Sequence, residues 1–511
     1  MQSLSYLFKV PTINYHRLSS YLRYIAIAAL AFGIVLRIAH YVSNRSLWAD
    51  EAYLALNLVD RSYLELLKPL DYDQAAPPLF LWIEKSALQL FGNHEYSLRF
   101  FPLIAGIIAL LAFYKLGKWA VSQLALAIAM LFFACLQYTV YYATELKQYC
   151  SDVMVTLLLC LLLIPLRNRD LSGGKVLWIG LLGAIAIWLS HPAIFVLTGL
   201  ELANLIIISQ ERRKVVMLNR WPAYLIWLIG FAVLYFQVLS QAMKNQSLQS
   251  QWGGEYPGSI FDLVWLLDSF GRIFYRPLGF ASPADGVAIV AFIIGCVACY
   301  RANRYKLLVL FAPVAVTLVA TYLHKYPFRG RLILFLAPFF ILILAEGLAF
   351  LLAQWNQRRL VGLFGVGLTA FLLLPPLFQT GRSLFIPPTV QEIRPVIEHI
   401  KAHYQPGDLI YADSPGAIIQ FTYYSNRYGF PRSALTHGAG NLFAKDGFTE
   451  ESWHRFKQQS KGLSSNKRMW LIFTGLERRR AESVKARLSL IGQELDYFQQ
   501  PRAFTYLYQL K

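Results

Sequence analysis

The chain has 511 residues, 56% hydrophobic and only 15% charged, with a formal net charge of +19. Soluble domains run closer to about 45–50% apolar and about 25% charged, so an ordinary soluble globule is excluded. The positive charge does not argue for nucleic acid, because lysines and arginines sit in short segments between long apolar runs, where they orient helices in a bilayer.

A helix needs about 20 apolar residues to cross the hydrocarbon core. Stretches of that kind fall near 21–42, 97–117, 121–142, 149–166, 175–190, 192–209, 222–240, 285–300, 306–323, 331–353 and 360–379, about eleven in all. Residues 1–20 are polar and basic and the first apolar run is long, so no cleaved signal peptide is expected. The five cysteines, Cys135, Cys150, Cys160, Cys296 and Cys299, lie in or beside apolar runs, which excludes a disulfide framework in the polar loops and tail.

After the first stretch comes a long loop, about 43–96, with Asp50-Glu51, Asp60, Glu65, Asp71, Asp73 and interleaved aromatics. Within it, Pro77-Pro78 opens an apolar segment that ends at Phe91 and carries Glu84-Lys85 in mid-run. It is too short to span, and a charge at mid-bilayer costs roughly 2.5–3.5 kcal/mol on insertion scales, so a helix lying along the interface is expected. Asp50-Glu51 reads either as acids favouring a helix N-terminus or as reactive carboxylates. Tyr141-Tyr142-Ala-Thr-Glu145-Leu-Lys147-Gln-Tyr149 follows the third stretch. Glu145 and Lys147 there read as a snorkelling pair or as site residues. His191-Pro192 caps the hairpin of the fifth and sixth stretches, and His324-Lys325-Tyr326-Pro-Phe-Arg329-Gly-Arg331 separates the ninth from the tenth.

Every second loop is basic: Lys115/Lys118, Arg167/Arg169/Lys175, Arg212/Arg213/Lys214/Arg220, Arg301/Arg304/Lys306 and Arg358/Arg359. By the positive-inside rule these loops and the N-terminus are cytoplasmic, which places residues 43–96, Glu145, His191, Arg329 and Arg331 on the outer side. Arg329 and Arg331 then break the rule on a short outer loop. Guanidinium forks suit a phosphate there, since they bind its oxygens bidentately, with lipid-headgroup anchoring as the alternative. From about 381 the chain turns polar, and helices over 390–404 and 417–424 with strands at 408–412, 468–473 and 504–509 are expected. A basic helix from about Glu477 completes a small extracytoplasmic α/β domain, 381–511, after a membrane domain, 1–380.

With these residues in order, the chain resembles the GT-C fold glycosyltransferases of the branch containing protein O-mannosyltransferases and aminoarabinose transferases that modify lipid A. Asp50-Glu51, Pro77-Pro78-Leu79, Leu90-Phe-Gly92 with Arg99, Tyr142-Ala-Thr-Glu145, His191-Pro192 and the Arg329/Arg331 loop carry the resemblance, over about residues 20–350. It implies a polytopic GT-C membrane domain and a sugar donor carried on a polyprenyl phosphate, used at the outer face of the plasma (inner) membrane. It implies catalytic roles for Asp50, Glu51 and Glu145, and donor-phosphate binding by Arg329, Arg331, Lys147 and His191. Where some relatives have Lys or His before the helix-opening proline, this chain has Ala76. The implied acceptor is a lipid, glycan or protein hydroxyl, and a divalent cation, Mg²⁺ or Mn²⁺, is a possible cofactor on Asp50 and Glu145. The rival reading is a lipid-linked-sugar flippase or transporter, which calls for ionisable residues at mid-membrane and symmetric interrupted helices. A non-catalytic membrane scaffold is the third.

Overall fold

The computed structural model describes residues 15–247, 250, 253–431, 435–436, 443–444, 447–448, 450, 453–454, 467–475, 485–490 and 492–510. All of the apolar stretches named above are helical. Among the described residues, eight helices are long and apolar enough to cross a membrane, one further pair is bent by 60°, and Gly173–Leu189 and Ala193–Ile207 are shorter apolar helices. The chain is a multi-span membrane protein. By contacts it divides into two units: Met1–Tyr41, Ala76–Phe80 and Phe101–Phe385, and Val42–Ala75, Leu81–Phe100 and Ile386–Lys511.

In the first unit the helix Ala337–Ala353 is buried along most of its length. Its Gly347 and Gly295 of Ala284–Ala302 let the two helices touch through their backbones. A Cβ on Gly295 would lie 1.9 Å from the Ile343 carbonyl oxygen, and one on Gly347 would lie 2.0 Å from that of Ala291. Small residues at such crossings substitute close backbone packing for the hydrophobic drive that lipid cannot supply.

The third stretch departs from the single helix expected over 121–142. Gln123–Cys135 and Gln137–Tyr141 meet at Leu136, whose backbone is extended at φ −63°, ψ 132°. No Gly or Pro marks the break. Carbonyls around it take side-chain donors: buried Arg37 donates to Phe133 and Thr139 oxygens at 3.3 and 3.0 Å, the Thr139 hydroxyl to Leu136 at 2.7 Å, and the Thr380 hydroxyl to Cys135 at 2.7 Å. A break in an apolar helix is tolerated when its backbone groups are satisfied internally.

The second unit holds a five-stranded sheet in the order β2-β1-β5-β7-β6, with β1 Leu409–Ala412, β2 Leu435–Thr436, β5 Arg468–Thr474, β6 Gly492–Gln500 and β7 Ala503–Leu510. A separate short antiparallel pair is formed by β3 Phe443–Ala444 and β4 Gly447–Phe448. β1 pairs in parallel with β2 and β5, and β7 runs antiparallel to both β5 and β6. The run Met469-Trp-Leu-Ile-Phe473 is buried throughout, whereas β6 alternates, as an edge strand with one wet face does. Helices Ile393–His403 and Pro415–Tyr428 match the expected ones, while β6 and the membrane-domain helix Leu263–Tyr275 were not anticipated. The basic helix expected from Glu477 falls largely outside the described residues.

The short helix Pro78–Phe91 forms as expected. Glu84 on it is fully buried and neither carboxylate oxygen has a hydrogen-bond partner. Burial therefore pushes its carboxyl well above the usual range. Neighbouring Lys85 does not pair with it but donates to the Leu58 carbonyl at 2.9 Å.

Candidate functional site

Asp50 and Glu51 occupy the first turn of the helix Ala49–Asp60, in the second unit, and the structure separates their surroundings. Asp50 is partly exposed. Glu51 is 1% exposed and takes both forks of buried Arg99, from Nε at 2.9 Å and Nη2 at 2.6 Å. Arg99 also donates to the carbonyls of Arg45 at 2.6 Å and Ser46 at 3.1 Å. Glu51 also accepts from its own helix start, the Trp48 N–H, at 3.4 Å, an N3 acid reaching back as in a capping box. A bidentate, buried Arg–carboxylate pair fixes orientation. Here it orients the turn that displays Asp50.

Residues of the C-terminal segment complete the hold. The Leu47 N–H donates to the Tyr424 hydroxyl oxygen and that hydroxyl donates to Glu95, both at 2.9 Å. Gln420 donates to the Leu47 carbonyl at 2.9 Å, and Gln391 accepts from the Ala49 N–H at 3.1 Å. Ser46 donates to Glu392 from its hydroxyl at 2.8 Å. Glu95 is fully buried and receives Arg394 at 2.7 Å and Arg427 at 2.8 Å. Gly416 is needed at the helix approach, since a Cβ there would lie 3.0 Å from that of Ala49.

The other candidates belong to the first unit. Glu145 follows the turn Tyr142–Thr144, is fully buried, and its carbonyl accepts the Lys147 N–H at 2.7 Å. Lys147 is 5% exposed. Around them stands an aromatic cluster: Tyr142 meets Tyr138 at 6.0 Å, Tyr141 at 5.4 Å and Tyr149 at 5.1 Å. Arg331 stacks its guanidinium over the Tyr149 ring at 5.3 Å. Arg276, which sequence reasoning did not single out, lies 5.7 Å from the rings of both Tyr138 and Tyr275. The structure thus brings Arg331 onto Tyr149, which opens the helix after Glu145 and Lys147, and Arg276 onto Tyr138, in the helix that precedes their turn.

Arg329 is placed differently. It makes an ion pair with Glu255 at 2.5 Å, a partner 74 residues away that no local motif marks. Tyr326 anchors the loop, donating to the Leu332 carbonyl at 2.7 Å and meeting Phe195 edge-on at 5.1 Å. Phe195 lies one turn into the helix after His191-Pro192, so the hairpin and the arginine loop pack together. Burial lowers the His191 imidazole to about 4, and its Nε2 is enclosed with no hydrogen-bond partner. His191 is therefore neutral at physiological pH and offers an anion at most one N–H.

Carboxylates such as Asp50 and Glu145 are the donors that Mg²⁺ or Mn²⁺ takes, usually with waters filling the remaining positions. Neither acid belongs to a three-residue metal-type cluster; among the described residues that arrangement occurs at His399, His403 and Asp496.

No curated protein matches the chain significantly. Residues 75–236 match the sequence family described as dolichyl-phosphate-mannose-protein mannosyltransferase, a segment that includes Glu145, Lys147 and His191. The structure is similar to that of ArnT from Cupriavidus metallidurans in the apo state and bound to undecaprenyl phosphate. Each has 12% identity and a TM-score of 0.52, covering 96% of this chain and 98% of that one. It is also similar to the Archaeoglobus fulgidus oligosaccharyltransferase in complex with Zn and sulfate, at 14% identity and a TM-score of 0.50, covering 94% of this chain and 72% of that one. This chain is a polytopic membrane protein of the GT-C fold, with a small α/β sheet region at its C-terminal end.

Proposed function

We propose that the chain is an inverting membrane glycosyltransferase that moves a sugar from a polyprenyl-phosphate carrier to an acceptor hydroxyl. Three observations support the class: the family match over residues 75–236, the fold shared with ArnT and the similarity to an oligosaccharyltransferase. The observation that carries the mechanism is the sorting of the acidic pair. Glu51 is buried against Arg99, and Asp50 is partly exposed on a clamped helix turn. Asp50 is then the general base and Glu51 a positioning residue.

Asp50 takes the acceptor hydroxyl proton as the acceptor oxygen bonds to the anomeric carbon. The bond from that carbon to the phosphate oxygen breaks with its electron pair, and polyprenyl phosphate leaves as an anion. A phosphate needs no protonating acid to depart, so one carboxylate suffices, unlike the paired carboxylates of glycoside hydrolases. Cations held in advance stabilise the charge growing on the phosphate. Arg331 and Lys147 are assigned this role, with Arg276 added to them. Arg329 serves only by exchanging Glu255 for the phosphate, and neutral His191 contributes a hydrogen bond rather than charge. Glu145 positions the acceptor. Any Mg²⁺ or Mn²⁺ would be held by Asp50 or Glu145 and would supply positive charge to a bound oxygen.

We further assign the N-terminus and the basic loops to the cytoplasm and the candidate residues to the periplasmic face of the inner membrane, from the charge pattern. The C-terminal domain, 381–511, is assigned as the scaffold of the Asp50 turn. Proteoliposomes given a defined polyprenyl-phosphate-linked sugar test this reading. The expected result is free polyprenyl phosphate and a glycosylated acceptor. Transfer of the intact lipid-linked sugar between leaflets, with no cleavage, would establish a flippase instead.

A further inference from the structure

The helix Ile393–His403 and the edge strand β6 are packed together, and three metal-type side chains meet where they touch. His399 and His403 stand four residues apart, so both project from one helix face. Asp496 comes from β6. One ligand atom from each lies within 4.8 Å of the others. His399 Nε2 is 2.6 Å from Asp496 Oδ2, and the His399 and His403 ring centroids are 4.4 Å apart.

The surroundings orient these rings as metal ligands are oriented. The His399 ring stacks on Phe498 at 4.4 Å with a 6° interplanar angle, which fixes its plane. His403 Nδ1 is 2.9 Å from the His399 carbonyl oxygen, so Nδ1–H donates there and Nε2 carries the lone pair. A histidine whose second nitrogen is committed to a backbone carbonyl is the usual state of a ligating imidazole. Two imidazoles and one carboxylate suit Zn²⁺, which binds nitrogen at about 2.0–2.1 Å in a tetrahedron and takes water in the fourth place. Such a set discriminates against Mg²⁺ and Ca²⁺, which prefer oxygen alone. His403 is exposed and Asp496 is 31% exposed, so an ion has an entry path.

We infer that His399, His403 and Asp496 form a Zn²⁺ site that ties the helix Ile393–His403 to β6. The ion takes the place of the proton between His399 and Asp496, and His403 swings a small distance to join. The site is structural: the same helix bears Arg394, whose guanidinium holds Glu95 and the Asn44 carbonyl at 2.7 and 2.9 Å.

The full chain, purified in detergent, stripped with chelator and titrated with Zn²⁺ against a chromophoric competitor, tests the assignment. Wild type should bind about one tightly held Zn²⁺ per chain, and the unfolding temperature of its polar domain should rise when the metal is added. His403→Gln alters an exposed side chain, and Asp496→Asn keeps size and shape. Each should weaken Zn²⁺ about tenfold or more and abolish the thermal shift, while metal-free His403→Gln unfolds like metal-free wild type. Cobalt substitution should give visible absorption in wild type that His403→Gln loses. If wild type holds no more Zn²⁺ than the His403→Gln/Asp496→Asn double variant, there is no site at these residues.

Discussion

The turn around Asp50 and the turn around Glu145 both carry charge, yet their described surroundings differ. The Asp50 turn is locked by ions and hydrogen bonds: Arg99 on Glu51, Tyr424 on Leu47, Gln420 and Gln391 on the flanking backbone, and Glu95 under two arginines. The Glu145 turn is walled by tyrosines, with Arg331 and Arg276 resting on ring faces. A ring face attracts a cation through its quadrupole and fixes where the guanidinium rests. The first construction suits a base that must not move; the second suits cations that must bind and release a phosphate.

Replacing single residues separates the two designs. Asp50→Asn should have the largest effect, a loss of about 10²–10⁴-fold in turnover, the range of a general base, with folding preserved. Turnover close to wild type in a steady-state transfer assay would assign the base elsewhere. Glu51→Ala strands a buried arginine and should cost about 3–5 kcal/mol of stability. The unfolding temperature reads this out, and a variant as stable as wild type would show that the clamp does not support the fold. Arg331→Ala should raise the donor KM about tenfold, on the order of one charge-assisted hydrogen bond to a phosphate, leaving turnover at saturating donor much less affected. An unchanged donor dependence would remove Arg331 from phosphate binding.

The smallest effect belongs to His191. Its folded pKa, about 4, lies below the ordinary histidine value near 6.5. Below 6.5 the unfolded chain takes up a proton that the folded chain refuses, so stability is complete above that pH and declines as pH falls towards 4. His191→Gln should flatten that decline, which thermal unfolding at stepped pH measures.

How much of this was readable in the sequence depends on whether cause and effect are local. Apolar length and loop charge located the spans, and adjacent Asp50 and Glu51 declared themselves as a pair. Their division of labour did not, because Arg99 lies 48 positions from Glu51. The ion pair of Arg329 was hidden in the same way by the distance to Glu255, and two arginines spaced by one glycine gave no sign that they face different partners. The tail could be parsed into helices and strands but not into a purpose: nothing near Gln420 or Tyr424 says that they grip residue 47. The bend at Leu136 left no trace either, since Arg37, Thr139 and Thr380, which satisfy its carbonyls, are scattered through three apolar segments.

The central claim is direct displacement by an acceptor oxygen under a single base. It is tested most directly by the anomeric configuration of the product, read by NMR after transfer from a polyprenyl-phosphate sugar of known configuration. Inversion is the expected result. Retention would require a glycosyl-enzyme intermediate and a second reacting carboxylate, and would contradict the roles given to Asp50 and Glu51.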